Sequence, residues 1–182
     1  PIPHRMLIGK KLTRGLGAGS EPSTGEGAAE EARSDLLEAC QDADIVFLTG
    51  GLGGCTGTGA LPVIAKLAKE RGALTIAIVT LPFSNEGARR TKNARLGLER
   101  LRKCADTVIV IPNDRLLQEE IMNLPLNLAF RQADEILGNA IKCMTEITSQ
   151  GGLVNIDFAD MRSIMDGGGV AMIGMGEGQG PN

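Results

Sequence analysis

The chain has 182 residues, a net charge of −3 from interspersed acids and bases, and four cysteines. That length allows one domain with a substantial core. The charge gives no sign of a nucleic acid or an anionic membrane surface as partner, and no apolar run approaches the roughly 20 residues that span a bilayer.

The chain opens Pro1-Ile-Pro-His-Arg-Met-Leu-Ile-Gly9, without an initiator Met or a secretory signal, as if cut just ahead of a strand. Residues 6–8 are the first strand candidate. The loop 13–22 follows, and then a helix over about 27–40, with Ala28, Ala32, Leu36 and Ala39 at helical spacing. Short, apolar, β-branched runs at 45–48, 74–79 and 107–111 read as buried parallel strands. Helical patterns at about 61–71 and 87–104 separate them. The last three strands recur about every 30 residues, the length of a βαβ unit. The expected fold is therefore α/β, a doubly wound, mostly parallel, Rossmann-like sheet. A long amphipathic helix over about 126–148 comes next.

The cysteines are Cys40, Cys55, Cys104 and Cys143. None forms a C-x-x-C pair and His4 is the only histidine, which argues against zinc and for reduced thiols. Cys55 differs from the others: it stands in a glycine-rich run just before a helix and is a candidate oxidation site.

The strongest local signal is Gly50-Gly-Leu-Gly-Gly-Cys-Thr-Gly-Thr-Gly59, placed between a strand and a helix. It reads either as a tight turn or as an anion site, where glycines let backbone N–H groups approach a phosphate and the helix dipole favours negative charge. Six glycines in ten residues exceed what a turn needs and favour the anion site. Thr56 and Thr58 add hydroxyls. A P-loop is excluded because the first Lys after the glycine run is Lys66, and G-x-G-x-x-G fails because its sixth position is Thr56. Loops at 13–22, 82–87 and 112–115 follow the other three predicted strands. In such a sheet, ligands bind beyond the carboxyl ends of the strands, so the four loops predict one composite pocket.

The run Gly53-Gly54-Cys55-Thr56-Gly57-Thr58-Gly59 resembles the signature loop of the tubulin/FtsZ GTPase family, with Cys55 in place of a glycine, and its ending is closer to the FtsZ branch. The resemblance covers nearly the whole chain. It implies that Gly17, Ala18 and Gly19 lie beside the γ-phosphate, with Glu21 standing where FtsZ commonly has Asn. Pro82-Phe-x-x-Glu86-Gly-x-x-Arg90 matches the segment whose Glu and Arg hold the ribose; the plain alternative is an i,i+4 surface ion pair. Asn113 matches the residue that reaches the sugar and base, and otherwise caps a turn or helix, as Asp114 is expected to do. Ala129-Phe-Arg-Gln-Ala-Asp134 matches a pattern in which Phe130 packs on the base and Asp134 reads it. Guanine offers N1–H and N2–H₂ side by side, an edge suited to one carboxylate. Asp134 lies on an otherwise apolar stripe with Phe130, Leu137 and Ile141, and a buried carboxylate needs partners. Its alternative is a solvated acid near a helix start.

Asn155-Ile-Asp157-Phe-Ala-Asp160 resembles the family's catalytic loop, and is also a plausible helix cap. A 23-residue helix is about 34 Å long. Phe130 and Asp134 lie near its start, while Asp157 and Asp160 follow its end. The acids are then out of reach of a nucleotide on their own chain and within reach of one on the next, if subunits stack head to tail. The implied protein is an assembly-dependent GTPase of the division cytoskeleton, cytoplasmic and at mid-cell. Asp157, Asp160 and Asn155 would act on the neighbour's GTP, and Mg2+ would be held mainly by the nucleotide rather than by a protein metal site. Two other readings stand beside it: a non-hydrolysing relative that binds nucleotide and assembles or regulates, and an NAD(P)-dependent oxidoreductase.

The resemblance also implies a division into a partial GTP-binding domain over 1–125, the central helix over 126–148, and the catalytic loop with the start of a second domain over 149–182. Read this way the chain is an internal fragment of an archaeal-type member. Alone it would bind GTP poorly and be inactive. Division-associated proteins and membrane adaptors would bind regions absent from it.

Overall fold

The structure, a computed structural model, describes residues 4–14, 17, 19, 21–116, 126–149 and 158–171. Four parallel strands lie side by side in chain order: β1 (Ile45–Gly51), β2 (Leu74–Leu81), β3 (Thr107–Pro112) and β4 (Gly169–Ala171). The register pairs Ile45 with Leu74, Ile76 with Thr107, and Thr107 with Gly169. Alternation along the strands sends side chains to two faces. Ala77, Val79 and Val108 meet Leu61, Ala65 and Leu101, from the helices α4 (Thr56–Glu70) and α5 (Ala88–Cys104). Ile76, Ile78, Ile109 and Ile111 meet Ala140, Met144 and Met161, from α6 (Leu126–Ser149) and α7 (Phe158–Met165). Helices therefore cover both faces, as a doubly wound sheet requires. Each fully buried aliphatic side chain contributes about 1.5–3 kcal/mol.

The outer side of α4 carries the helices α2 (Pro22–Glu31) and α3 (Arg33–Ala39), through Ala29, Ala32, Leu36, Val63 and Leu67. The crossing of α2 and α4 is close. A Cβ at Gly59 would stand 2.0 Å from the Pro22 carbonyl oxygen, so no larger residue fits there without moving a helix. A four-residue turn, α1 (Lys10–Thr13), precedes them. Both carboxylate oxygens of Glu31 accept its backbone N–H groups, from Lys11 and Leu12, each at 2.9 Å.

Three sequence expectations change. Residues 6–8 form no strand; Met6 and Leu7 are exposed, and a short apolar run gains no ladder bonds without a neighbour. The helix expected over 27–40 begins earlier, at Pro22, whose fixed φ suits a first helical position. It is then interrupted at Ala32, so that α2 and α3 are separate. The helix expected from 61 begins at Thr56, inside the glycine run, because apolar periodicity does not register a turn built from Thr and Gly. β4 is an addition that three residues with one branched side chain did not announce.

Candidate functional site

β1, β2 and β3 end at Gly51, Leu81 and Pro112, and their loops converge there with the start of α6. They enclose a cavity of about 330 Å³. Gly51, Leu52 and Gly54 line it from the glycine loop, Thr80 and Pro82 from the end of β2, Glu86 and Arg90 from the segment after it, Asn113 from the end of β3, and Phe130, Asp134 and Leu137 from α6. Six of these were sequence candidates, from four separate motifs: Gly54, the Glu86 and Arg90 pair, Asn113, and the Phe130 and Asp134 pair.

The glycine loop is held open by its own contacts. Gly53 has φ +109°, a conformation that favours glycine, and its N–H donates to Thr58 Oγ1 at 2.8 Å. Thr58 is thereby committed to the loop; it is buried and does not line the cavity. Gly54 faces open space. α4 starts directly after Cys55 with no side-chain cap, so its first N–H groups are donors without an intrahelical partner. The loop thus presents unspent backbone donors and a helix dipole to whatever lies beside Gly54.

After β2, Glu86 accepts the Phe83 N–H at 2.8 Å through one oxygen and pairs with Arg90 through the other. The i,i+4 ion pair foreseen as the plain alternative therefore exists, and it sits on the cavity wall. Asp114 was expected to cap a turn. It accepts the Ser84 N–H at 2.8 Å and ties the loops after β2 and β3 together. Asn113 is 6% exposed, and its Oδ1 has no hydrogen-bond partner among the described residues. A buried acceptor left unmade costs about 1–3 kcal/mol, so this atom is fitted for a donor brought by a ligand.

On α6, Phe130 meets the buried Phe83 edge to face, with ring centroids 5.4 Å apart. Asp134 is exposed, as the solvated alternative had it, and stands where α6 borders the cavity. The aromatic and the carboxylate are one helical turn apart. Leu52, Thr80 and the support from Phe83 were not foreseen, since nothing but their position at strand ends marks them.

The remaining sequence candidates lie elsewhere. Gly17 and Gly19 do not line the cavity, and Thr56 and Gly57 belong to the first turn of α4. Ala18, Asn155 and Asp157 lie outside the described residues. Asp160 is exposed in the first turn of α7. Two residues on, Arg162 donates to the Gly72 carbonyl at 3.2 Å, just before β2 begins. Asp160 is therefore near the amino end of β2, whereas the cavity is at its carboxyl end. The eight residues of β2 span about 23 Å between first and last Cα. Among the described residues, no three of His, Cys, Asp and Glu gather as a metal cage, and no helix is long and apolar enough to cross a membrane.

A parallel doubly wound sheet with a glycine loop and composite cavity at its carboxyl edge defines a nucleotide-binding class of fold. The sequence profile of the tubulin/FtsZ family, GTPase domain, matches residues 2–120, and the chain belongs to this family. It is 60% identical over 173 residues to cell division protein FtsZ 1 of Thermococcus kodakarensis, covering 95% of this chain and 46% of that protein. Identity with FtsZ 1 of Pyrococcus abyssi is 61% over 174 residues, with 96% and 46% coverage. The chain thus spans about half the length of the curated relatives it matches. Among solved structures, the empty FtsZ dimer of M. jannaschii superposes with a TM-score of 0.86 at 55% identity, covering 90% of this chain and 47% of that one. The GDP-bound CetZ1 monomer of Haloferax volcanii gives 0.76 at 26% identity, with 91% and 49% coverage.

Proposed function

We propose that the cavity binds GTP, that the protein hydrolyses it, and that hydrolysis takes place at a head-to-tail junction between subunits of a division filament. The single observation that carries the binding step is the orphaned Asn113 Oδ1, buried in a cavity shared with Phe130 and Asp134. An acceptor and a carboxylate beside an aromatic edge call for a flat ligand with donors, such as a guanine N1–H and N2–H₂ with a ribose hydroxyl. Glu86 and Arg90 border the sugar, and the phosphates run past Gly54 to the N-terminus of α4, where backbone donors stabilise negative charge. Mg2+ would enter on the phosphate oxygens.

The placement of Asp160 supports a shared site. Asp160 lies near the end of β2 opposite the cavity, which suits a carboxylate that serves a nucleotide held by another subunit. Asp157 and Asn155 belong to the same stretch of sequence. They would orient the attacking water while the loop holds the transferring group. The dimer solved for the M. jannaschii relative supports self-association. A contact of unlike surfaces that does not close extends into a filament.

The test is GTP turnover per subunit against protein concentration, on the full-length protein with Mg2+. A threshold, with turnover near zero below it, supports a site completed by assembly. Turnover that is flat with concentration refutes the shared site. Bound GTP without turnover leaves binding intact and refutes hydrolysis, favouring the non-hydrolysing reading.

A further inference from the structure

The glycine loop lies between two helix starts. On one side a Cβ at Gly25 of α2 would come within 2.2 Å of the Cys55 carbonyl oxygen. On the other, a Cβ at Gly53 would come within 3.0 Å of the Arg90 carbonyl oxygen in α5. Glu21 immediately precedes α2, and Arg89 is in the first turn of α5. Arg89 Nη2 donates to Glu21 Oε2 at 3.2 Å, so one ion pair joins the two walls of the loop. Glu21 makes no cap to its own helix; its carboxylate turns to Arg89 instead. A second pair, Arg100 with Glu26 at 2.8 Å, joins the same two helices farther along.

We propose that the Glu21–Arg89 pair sets the balance between nucleoside triphosphate and diphosphate at this site. The inference rests on the nucleotide reading above; the independent sign of a ligand is the unpartnered Asn113 Oδ1 in the cavity that Gly54 also lines. A phosphate chain running from the cavity past Gly54 brings its last group toward the gap between α2 and α5. There it meets one carboxylate and one guanidinium. Arg89 can exchange one anionic acceptor for another at little net change in hydrogen bonding. The exchange leaves Glu21 unpaired beside a phosphate, and that repulsion opposes the third phosphate more than the second. Glu21 therefore lowers the preference for triphosphate and Arg89 raises it. Both side chains are mostly solvated, so each effect is moderate and sensitive to salt.

The experiment measures equilibrium binding of GDP and of a non-hydrolysable GTP analogue to the full-length protein and to its Glu21→Gln, Arg89→Gln and doubly substituted forms. Both sites are exposed, and thermal unfolding confirms that the fold is kept. Glu21→Gln should raise the ratio of triphosphate to diphosphate affinity about fivefold, and Arg89→Gln should lower it by a similar factor. Both changes should shrink at about 1 M salt, where the Debye length is about 3 Å. Ratios within twofold of wild type in both single variants overturn the proposal while leaving the nucleotide reading intact. Shifts that persist unchanged in high salt overturn it too, since they would report altered structure rather than charge. Wild-type protein that binds neither nucleotide refutes the nucleotide reading, and this proposal with it.

Discussion

Phe130 stands on Phe83 with their rings 5.4 Å apart and inclined at 73°. The two rings do different work. Phe83 is fully buried between the loop after β2 and α6, whereas Phe130 is 37% exposed and lines the cavity. Phe130→Ala should therefore weaken GTP binding by about tenfold or more, the value of one lost stacking contact, with a small change in melting temperature. Phe83→Ala should instead cost about 3–5 kcal/mol of stability. Titration with fluorescent GTP, paired with urea unfolding, separates the two. Equal stability losses in both variants would show that Phe130 is merely core.

The glycines of the loop divide in the same way. Gly59→Ala would set a methyl group 2.0 Å from the Pro22 carbonyl oxygen, so α2 must shift from α4. The expected cost is about 1–3 kcal/mol or more, the usual range for overpacking. Gly54→Ala meets open space in the protein, so stability should barely move, while a methyl group at the cavity wall should reduce nucleotide affinity. Unfolding free energies and binding constants for both variants check this; a destabilised Gly54→Ala protein would contradict the assignment of Gly54 to the ligand side.

The sheet was legible because Leu74-Thr-Ile-Ala-Ile-Val79 and Thr107-Val-Ile-Val-Ile111 are β-branched runs of strand length, spaced by one helix each. Glu86, Arg90, Asn113 and Phe130 on the cavity wall were legible through the resemblance to tubulin/FtsZ motifs; on its own the Glu86 and Arg90 spacing reads as a surface ion pair. Thr80 and Leu52 were not, since their role comes from register with neighbouring strands rather than from any local pattern. Sequence left Asp134 between a buried and a solvated acid for a related reason: periodicity assigns a residue to a helix face, but where that face passes from core to cavity depends on tertiary packing. The start of α4 was misplaced because glycine and threonine carry no apolar period, though the donors of that first turn are what make the loop a candidate anion site. The Glu21–Arg89 pair joins residues 68 apart in sequence, and neither residue alone points to the other.

Glu31 provides a pH-dependent element away from the cavity. The N–H groups of Lys11 and Leu12 hold its carboxyl below the ordinary carboxylate range. A depressed folded-state pKa means that the contact stabilises fully above the unfolded value and is lost as pH falls through the folded value. Hydrogen exchange at the Lys11 and Leu12 amides should therefore be slowed at neutral pH, relative to unstructured amides after correction for intrinsic rates, and lose that protection in acid. Glu31→Gln should remove the pH dependence and leave the cavity unaffected. Protection that survives protonation of Glu31 would show that α1 is held by other contacts.

The distance between Asp160 and the cavity yields a test by mixing. Asp160→Ala should bind GTP normally and lose about a hundredfold or more in turnover, as removal of a group that orients the attacking water does. Asp134→Ala should lose GTP affinity while keeping its acids. If each site is built from the cavity of one subunit and the acids of the next, an equimolar mixture of these two variants contains intact junctions. Random assembly gives about a quarter of them, a cavity from the Asp160→Ala subunit facing acids from the Asp134→Ala subunit. Turnover of the mixture should therefore recover toward about a quarter of wild type, although neither variant turns over alone. A mixture no more active than the sum of its parts would place cavity and acids in one subunit's own site, against the geometry of β2, whose two ends the cavity and Asp160 occupy.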